Sequence, residues 1–437
     1  MQYGPTLAVG GAYIVAASPS APLLLVVLTS VTILCLARVI VFFARRYAGS
    51  GGIFTYISES ASPVISLMAA ATLFIGYVAT LSTAVNGASL FLSGIFYNLG
   101  ISEAVEVGPQ LILVSVLAAG MFAAAGRGIQ VSAMLARTLG LACVPVILFV
   151  MAAYLMKVGV DIPALIDPSG FQLSAGIAGL VLGVAVFIGF DGVASLANRT
   201  SDPLRNMPRI IMWVAAVGIP VLAMTVIVQA PVASSPAFAE GESPLSIMAR
   251  DAGVAWLGLP ADLLLLASMF AAGVAAQSFA GNVFAAMGRI GLLPTSMSRT
   301  NRHGIATRSM ALAGLLSLIV VAGASAAGGG VPAAAGQFIY AAAAHAWGIA
   351  YMLVCAVAIW VAARERPHRR SVICCGVFAF LMFGSLELNG LRTGYDDPLD
   401  VVQGVCVGAA AVAMIVFLVI SRSRKSAIDL RTLDTLE

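Results

Sequence analysis

Asp191 is the residue of this sequence best placed to do chemistry. It lies within Phe187-Ile188-Gly189-Phe190-Asp191-Gly192, inside a long apolar stretch. A carboxylate near a bilayer centre costs about 2.5–3.5 kcal/mol even on lenient scales, so something must offset it. Either Asp191 faces a cavity, where it receives an amine or carries a proton, or it is a solvated structural carboxylate on the inner half of an interrupted helix. Gly189 and Gly192 make that helix breakable, as do Gly4-Pro5 and Gly10-Gly11 near the start of the chain. Glycines also serve close helix packing, which is the plainer reading of either pair taken alone. A break leaves unpaired N–H and C=O groups whose partial charges suit a carboxylate and an ammonium. A zwitterion can therefore bind there with few charged side chains.

Membrane-spanning elements must hold these residues. Of the 437 residues, 60% are hydrophobic and 10% charged, against about 25% charged in an ordinary soluble domain. Apolar runs of about 20 residues are what a bilayer crossing needs. Such runs occur near 4–17, 22–44, 63–96, 109–125, 129–156, 175–198, 209–233, 260–287, 308–328, 336–362, 371–389 and 398–421. Runs this long without ten-residue alternation are helices in lipid. The expected fold is therefore all-α, a polytopic bundle of about 12 transmembrane helices. The six cysteines sit inside apolar runs without ligand spacing, which predicts neither a disulfide nor a metal. No basic residue precedes the first apolar stretch, so it reads as a span rather than a secretory signal.

Charge sets the expected topology. Clusters such as Arg45-Arg46, Arg199 to Arg209, Arg289 to Arg308, Arg364 to Arg370 and Arg422 to Arg431 fall in alternate connections or in the tail. Those connections are expected to face the cytoplasm, with the C-terminus among them. The intervening loops carry mainly Asp and Glu. Basic clusters of this kind can also suggest nucleic acid or anionic lipid, but the arginine distribution is accounted for as a topology signal, and nucleic acid is not an expected partner. Asn198 to Thr200 matches a glycosylation acceptor but lies on the cytoplasmic side of this scheme, where the match is accidental.

Spans one to five and six to ten repeat one organisation. A long polar connection follows span two (residues 45–62) on one side, and another follows span seven (residues 232–259) on the other. Five spans is an odd number, so corresponding elements are inverted, and sites in such proteins lie beside the interrupted first helix of each half. The chain then divides into a first repeat (1–156), an inverted second repeat (175–362), two additional helices (371–421) and a cytoplasmic tail (422–437), all one transmembrane domain.

Three segments carry a more specific signal: Gly49-Ser50-Gly51-Gly52-Ile53-Phe54-Thr55-Tyr56, Asp202-Pro203 through Pro208, and Met287-Gly288-Arg289-Ile290-Gly291-Leu292-Leu293-Pro294. Locally, Pro203 and Pro208 are expected to end helices. Arg289 complements a helix C-terminal dipole, and Gly291 and Pro294 stop that helix. In order and spacing, together with Phe187 to Asp191, these segments resemble the amino acid-polyamine-organocation transporter superfamily from about Gly4 to Arg364. The resemblance implies a LeuT-type fold of five plus five inverted helices with two more at the C-terminus, and coupled transport by alternating access. It places Pro5, Thr6, Gly10 and Gly11 at the first break and Phe187, Gly189, Phe190 and Asp191 at the second. Tyr77 on span three and Ser268, Ser278 and Asn282 on span eight would face the site or hydrogen-bond a neighbouring helix. Trp347 and Tyr351 on span ten would gate it or serve packing alone.

The sequence departs from that pattern in three places. It starts almost at the first break, so the inner half of span one is expected to be missing. Cys143 stands where proton-coupled relatives have a lysine, and Asn198 and Arg199 replace an acidic pair. Coupling to protons or to sodium therefore stays open, and no cofactor is expected. The resulting expectation is a secondary permease for an amino acid or related amine in the plasma membrane, its partners a small-molecule substrate and the lipid bilayer. The alternative is a transport-inactive amino-acid-binding or sensor protein. An enzyme is not expected: His345 stands alone in span ten, and neither a His-Glu-x-x-His nor a Gly-x-Ser-x-Gly motif occurs.

Overall fold

A computed structural model describes residues 9–49, 51–127, 129–239, 242–365, 369–389 and 398–423, and all regular structure among them is helical. In chain order the main helices are α1 (Gly11–Ala17), α2 (Pro22–Ala44), α3 (Pro63–Asn98), α4 (Val107–Gly126), α5 (Ile129–Val158) and α6 (Leu173–Phe187). They continue with α7 (Pro203–Ala233), α8 (Gly258–Arg289), α9 (Thr307–Ala327), α10 (Pro332–Arg364), α11 (Arg370–Glu387) and α12 (Pro398–Ser423). Eleven segments among the described residues are long and apolar enough to cross a membrane, and α1, with seven residues, is not one of them. Pro5 and Thr6 lie outside the described residues.

Proline and glycine set the boundaries. Proline opens α2, α7 and α10, where its missing N–H would have had no helical partner. After α8, Gly291 takes φ +83°, and the Leu292 N–H returns to the Met287 carbonyl at 2.9 Å, a glycine stop of the kind the sequence suggests. The segment around Pro203 and Pro208 differs from expectation. Asp202 takes a left-handed turn (φ +45°), Pro203 begins α7, and Pro208 lies inside it. The residue before a proline avoids the right-handed helical region, so the turn falls at Asp202 and the helix runs on from the next residue.

Each long connection contains a short helix, Ile53–Ser58 after α2 and Pro244–Asp251 after α7. In the bundle, α8 packs on α3, α4, α5 and α9, while α10 packs on α3, α11 and α12. Close approach of α1 to α7 depends on Gly11. A Cβ there would lie 2.2 Å from the Thr225 carbonyl oxygen, a backbone atom that cannot rotate away. Overpacking of this kind costs about 1–3 kcal/mol. Gly11→Ala is expected to lower the thermal unfolding midpoint of the purified protein by several degrees; an unchanged midpoint would show that α1 is not wedged against α7.

One end of the bundle is tied by an ion-pair network. The Arg46 guanidinium makes a bidentate contact with Glu365, its second bond 2.8 Å long. Arg369 joins the same carboxylate at 3.1 Å. This clamps α2 to the link between α10 and α11. Hydrogen bonds from Arg46, reinforced by the charge of Arg369, hold the Glu365 carboxyl below its ordinary value of 4.5. The stabilisation is thus present above that value and disappears as pH falls through the lower folded-state value. A partly exposed network is worth at most about 1 kcal/mol. Glu365→Gln should unfold earlier than the unmodified protein at pH 7, with the gap closing below pH 4; a gap that persists in acid would assign the loss to packing instead.

Candidate functional site

A cavity of ≈280 Å³ lies in the middle of the bundle among α1, α3, α6, α7, α8 and α10. Among the described residues, no charged side chain lines it. Its polar edge consists of Tyr13, Thr80, Thr83 and Tyr340, and its apolar walls include Val186, Met269, Ala276 and Phe279. The Tyr13 and Tyr340 rings are 5.8 Å apart on one wall. Thr80 is held by its own helix, bonding the Gly76 carbonyl at 2.9 Å, and accepts the Trp347 indole N–H at 2.8 Å.

A helix break borders this cavity. α6 stops at Phe187, Ile188 leaves the helix (ψ 134°) and Gly189 is left-handed (φ +84°). A 3₁₀ segment, Phe190–Arg199, then carries the chain onward. Only glycine adopts that φ freely, so the break is written into Gly189. Ile188, Gly189 and Phe190 all line the cavity. Val9 and Gly10, just ahead of α1, line it as well. The Ala12 N–H in the first turn is taken by the Gln229 side chain of α7 at 2.9 Å.

Asp191 lies one layer behind this wall. It is 1% exposed and does not line the cavity. Tyr351 of α10 donates a 2.7 Å hydrogen bond to its Oδ1, whereas Oδ2 has no partner among the described residues. The carboxylate is therefore neither solvated nor open to the cavity, but it is coupled to it through aromatic rings. Phe190, which lines the cavity, is 6.4 Å from Tyr351, and Trp347 links Tyr351 (5.4 Å) to Tyr77 (5.0 Å). Tyr56 and Tyr77 lie within electrostatic range of Asp191. The glycine-rich segment packs beneath: a Cβ on Gly52 would sit 3.5 Å from the Ser195 backbone nitrogen and 3.8 Å from the Tyr77 hydroxyl. This puts the short Ile53–Ser58 helix against the broken segment.

The residues singled out from sequence thus separate into groups. Gly10, Gly189 and Phe190 border the cavity. Gly11 serves the α1–α7 contact, and Phe187 turns outward against Gly218 of α7. Tyr77 belongs to the aromatic layer with Trp347. On α8, Ser278 bonds its own helix at Val274, buried Ser268 lies beside Cys143 of α5, and Asn282 is half-buried away from the cavity. The cavity face of α8 is instead Met269, Ala272, Ala276 and Phe279.

Sequence reading passed over Tyr13, Thr80, Thr83 and Tyr340, although Thr80 and Thr83 are polar residues one turn apart in an apolar span. It also passed over Asp262, wholly buried in α8 and bonded by the Ser246 hydroxyl at 2.8 Å. The rule that isolates Asp191, a carboxylate inside an apolar run, isolates Asp262 equally. His345 is not alone: its Nδ1 lies 3.3 Å from Glu387 of α11, a pairing across helices that linear spacing does not reveal.

Comparison with known proteins agrees with this architecture. A model of the amino acid permease family matches residues 2–423. The branched-chain amino acid permease BcaP of Lactococcus lactis subsp. cremoris (strain MG1363) is 23% identical over 149 residues, 33% of this chain. That match spans about a third of the relative's length, 32%. The crystal structure of MhsT in complex with L-phenylalanine superposes with a TM-score of 0.56 at 13% identity, covering 89% of this chain and 96% of that one. The crystal structure of a mutant manganese transporter from Eremococcus coleocola gives a TM-score of 0.55 at 14% identity, covering 98% and 94%. At these identities the likeness is one of fold, the LeuT-type fold.

Proposed function

The chain belongs to the amino acid permease family, and from that premise we propose that it is a secondary transporter carrying a small, mostly apolar amino acid across the plasma membrane. The observation that supports this reading is the ≈280 Å³ cavity lined by Val9, Gly10, Gly189 and Phe190 beside the break at Gly189 and, among the described residues, by no charged side chain. Helix ends offer partial charges to an ammonium and a carboxylate, and apolar walls suit an aliphatic or small aromatic side chain. A cavity of this size is near the small end of ligand pockets.

The proposed site comprises Gly10, Gly189 and Phe190 in the wall, with Tyr13, Thr80, Thr83 and Tyr340 as its hydroxyl-bearing edge. Pro5 and Thr6 are proposed to extend the first break, and Tyr77 and Asp191 to act from the layer behind. Gly11 and Phe187 support the two breaks, while Ser268, Ser278 and Asn282 lie on α8 away from the cavity wall. Transport is proposed to be coupled to protons or to sodium, with Asp191 the candidate proton carrier. The two halves, 1–156 and 175–362, would move as inverted repeats against each other, with the arginine-rich end and the C-terminus in the cytoplasm.

The test is uptake by proteoliposomes across a panel of amino acids and amines, with imposed proton or sodium gradients. Saturable uptake of apolar amino acids is expected. Ligand-induced thermal stabilisation without flux across the panel would favour a binding or sensor role instead.

A further inference from the structure

Away from the central cavity, the arginines of α2 and α7 line a groove on the flank of the bundle. On α2 and the residue that caps its end, Arg38, Val41 and Arg45 recur at intervals of three and four residues. In α7, Arg205, Arg209 and Trp213 recur at intervals of four. Each set therefore lies along one helix face, and the two faces border a common groove of ≈870 Å³.

The four cations face no carboxylate there. Among the described residues, none of Arg38, Arg45, Arg205 and Arg209 forms an ion pair, and only Arg38 makes a side-chain hydrogen bond, to the Ser371 hydroxyl at 3.3 Å. Such a cluster repels itself until an anion enters it.

The groove is also layered. At about 1.5 Å per residue, Arg205 and Arg209 lie about 3 and 9 Å from the start of α7 and Trp213 about 15 Å. On α7, charge is thus concentrated near the helix end, within about the depth that Arg38 reaches on α2, and apolar surface lies deeper, where Met212 and Ala216 continue the wall. Trp213 is 69% exposed on this flank, as expected for an aromatic residue in contact with lipid near the interface. A phosphate above acyl chains has the same order. A soluble anion would match the arginines alone.

We propose that this groove is a binding site for one anionic phospholipid, its phosphate held among the four arginines and its acyl chains laid along Met212, Trp213 and Ala216. Basic pockets between transmembrane helices are chemically suited to such headgroups. Because α2 and α7 pack on each other, the occupant would brace that pair. The inference requires the protein to sit in a bilayer and does not depend on what it transports.

The test uses the purified full-length protein in detergent, titrated with dioleoyl phosphatidylglycerol, dioleoyl phosphatidylcholine or glycerol 1-phosphate, and reads the thermal midpoint and the retained lipid by native mass spectrometry. Phosphatidylglycerol is expected to raise the midpoint and remain bound, and the other two are not. R205Q/R209Q should weaken the apparent affinity at least about tenfold, while the exposed control pair R299Q/R302Q should leave it unchanged. Should R205Q/R209Q not fold, R45Q carries the same expectation with a smaller loss. Equal stabilisation by phosphatidylcholine or by glycerol 1-phosphate would overturn the proposal, as would undiminished phosphatidylglycerol binding by the groove variants or an equal loss in the control pair.

Discussion

Asp191→Asn is expected to abolish uptake or to uncouple it from the ion gradient, while leaving the fold intact. Tyr351 donates to one carboxylate oxygen and the other has no partner among the described residues. An amide keeps the first contact and nearly the same volume, but it cannot ionise or exchange a proton. Hydrogen bonds to charged groups are worth about 1.5–3 kcal/mol, which corresponds to roughly a 10- to 150-fold fall in any step that depends on the charge. Tyr351→Phe should produce a smaller defect that still responds to pH, because the carboxylate remains. Uptake by the Asn variant that is unchanged and still driven by a proton gradient would remove Asp191 from the coupling mechanism.

The second large effect follows from the size of the central cavity. Ala276 lies on its α8 wall, and a benzyl group at that position would extend into the ≈280 Å³ space that a substrate needs. Ala276→Phe is therefore expected to reduce uptake at least about tenfold, chiefly through a raised KM. The added side chain enters a void rather than a packed interface, so the thermal midpoint should hardly move. Full uptake by a normally folded Ala276→Phe protein would mean that the substrate path lies elsewhere. Gly11→Ala is the contrasting case: there the new methyl meets backbone, so stability falls first.

The all-helical bundle was legible because eleven of the apolar runs extend over the full width of a bilayer, and the second break because Gly189 interrupts such a run beside a carboxylate. Which polar side chains reach the cavity was much less legible. In α8, a soluble-type apolar stripe is missing because lipid and protein neighbours are both apolar. The sequence therefore shows that Ser268, Ser278 and Asn282 are polar but not which way they turn. Packing decides that, and it turns Ala272, Ala276 and Phe279 inward. Asp202-Pro203 illustrates a second limit. A proline within a basic segment reads equally as an end or a beginning, and the left-handed turn at Asp202 makes it a beginning. The His345–Glu387 contact joins residues 42 positions apart, a relation set by the packing of α10 against α11.

Counterflow in proteoliposomes tests the central claim, that this bundle carries a small apolar amino acid through its middle cavity, most directly. Vesicles preloaded with unlabelled leucine are diluted into a trace of labelled leucine, and accumulation of label is followed with time. A transient overshoot is predicted, abolished in Ala276→Phe and undiminished in the groove control R299Q/R302Q. No exchange of leucine or any other apolar amino acid, from protein whose thermal midpoint nonetheless rises with the same ligand, would contradict transport and leave only binding.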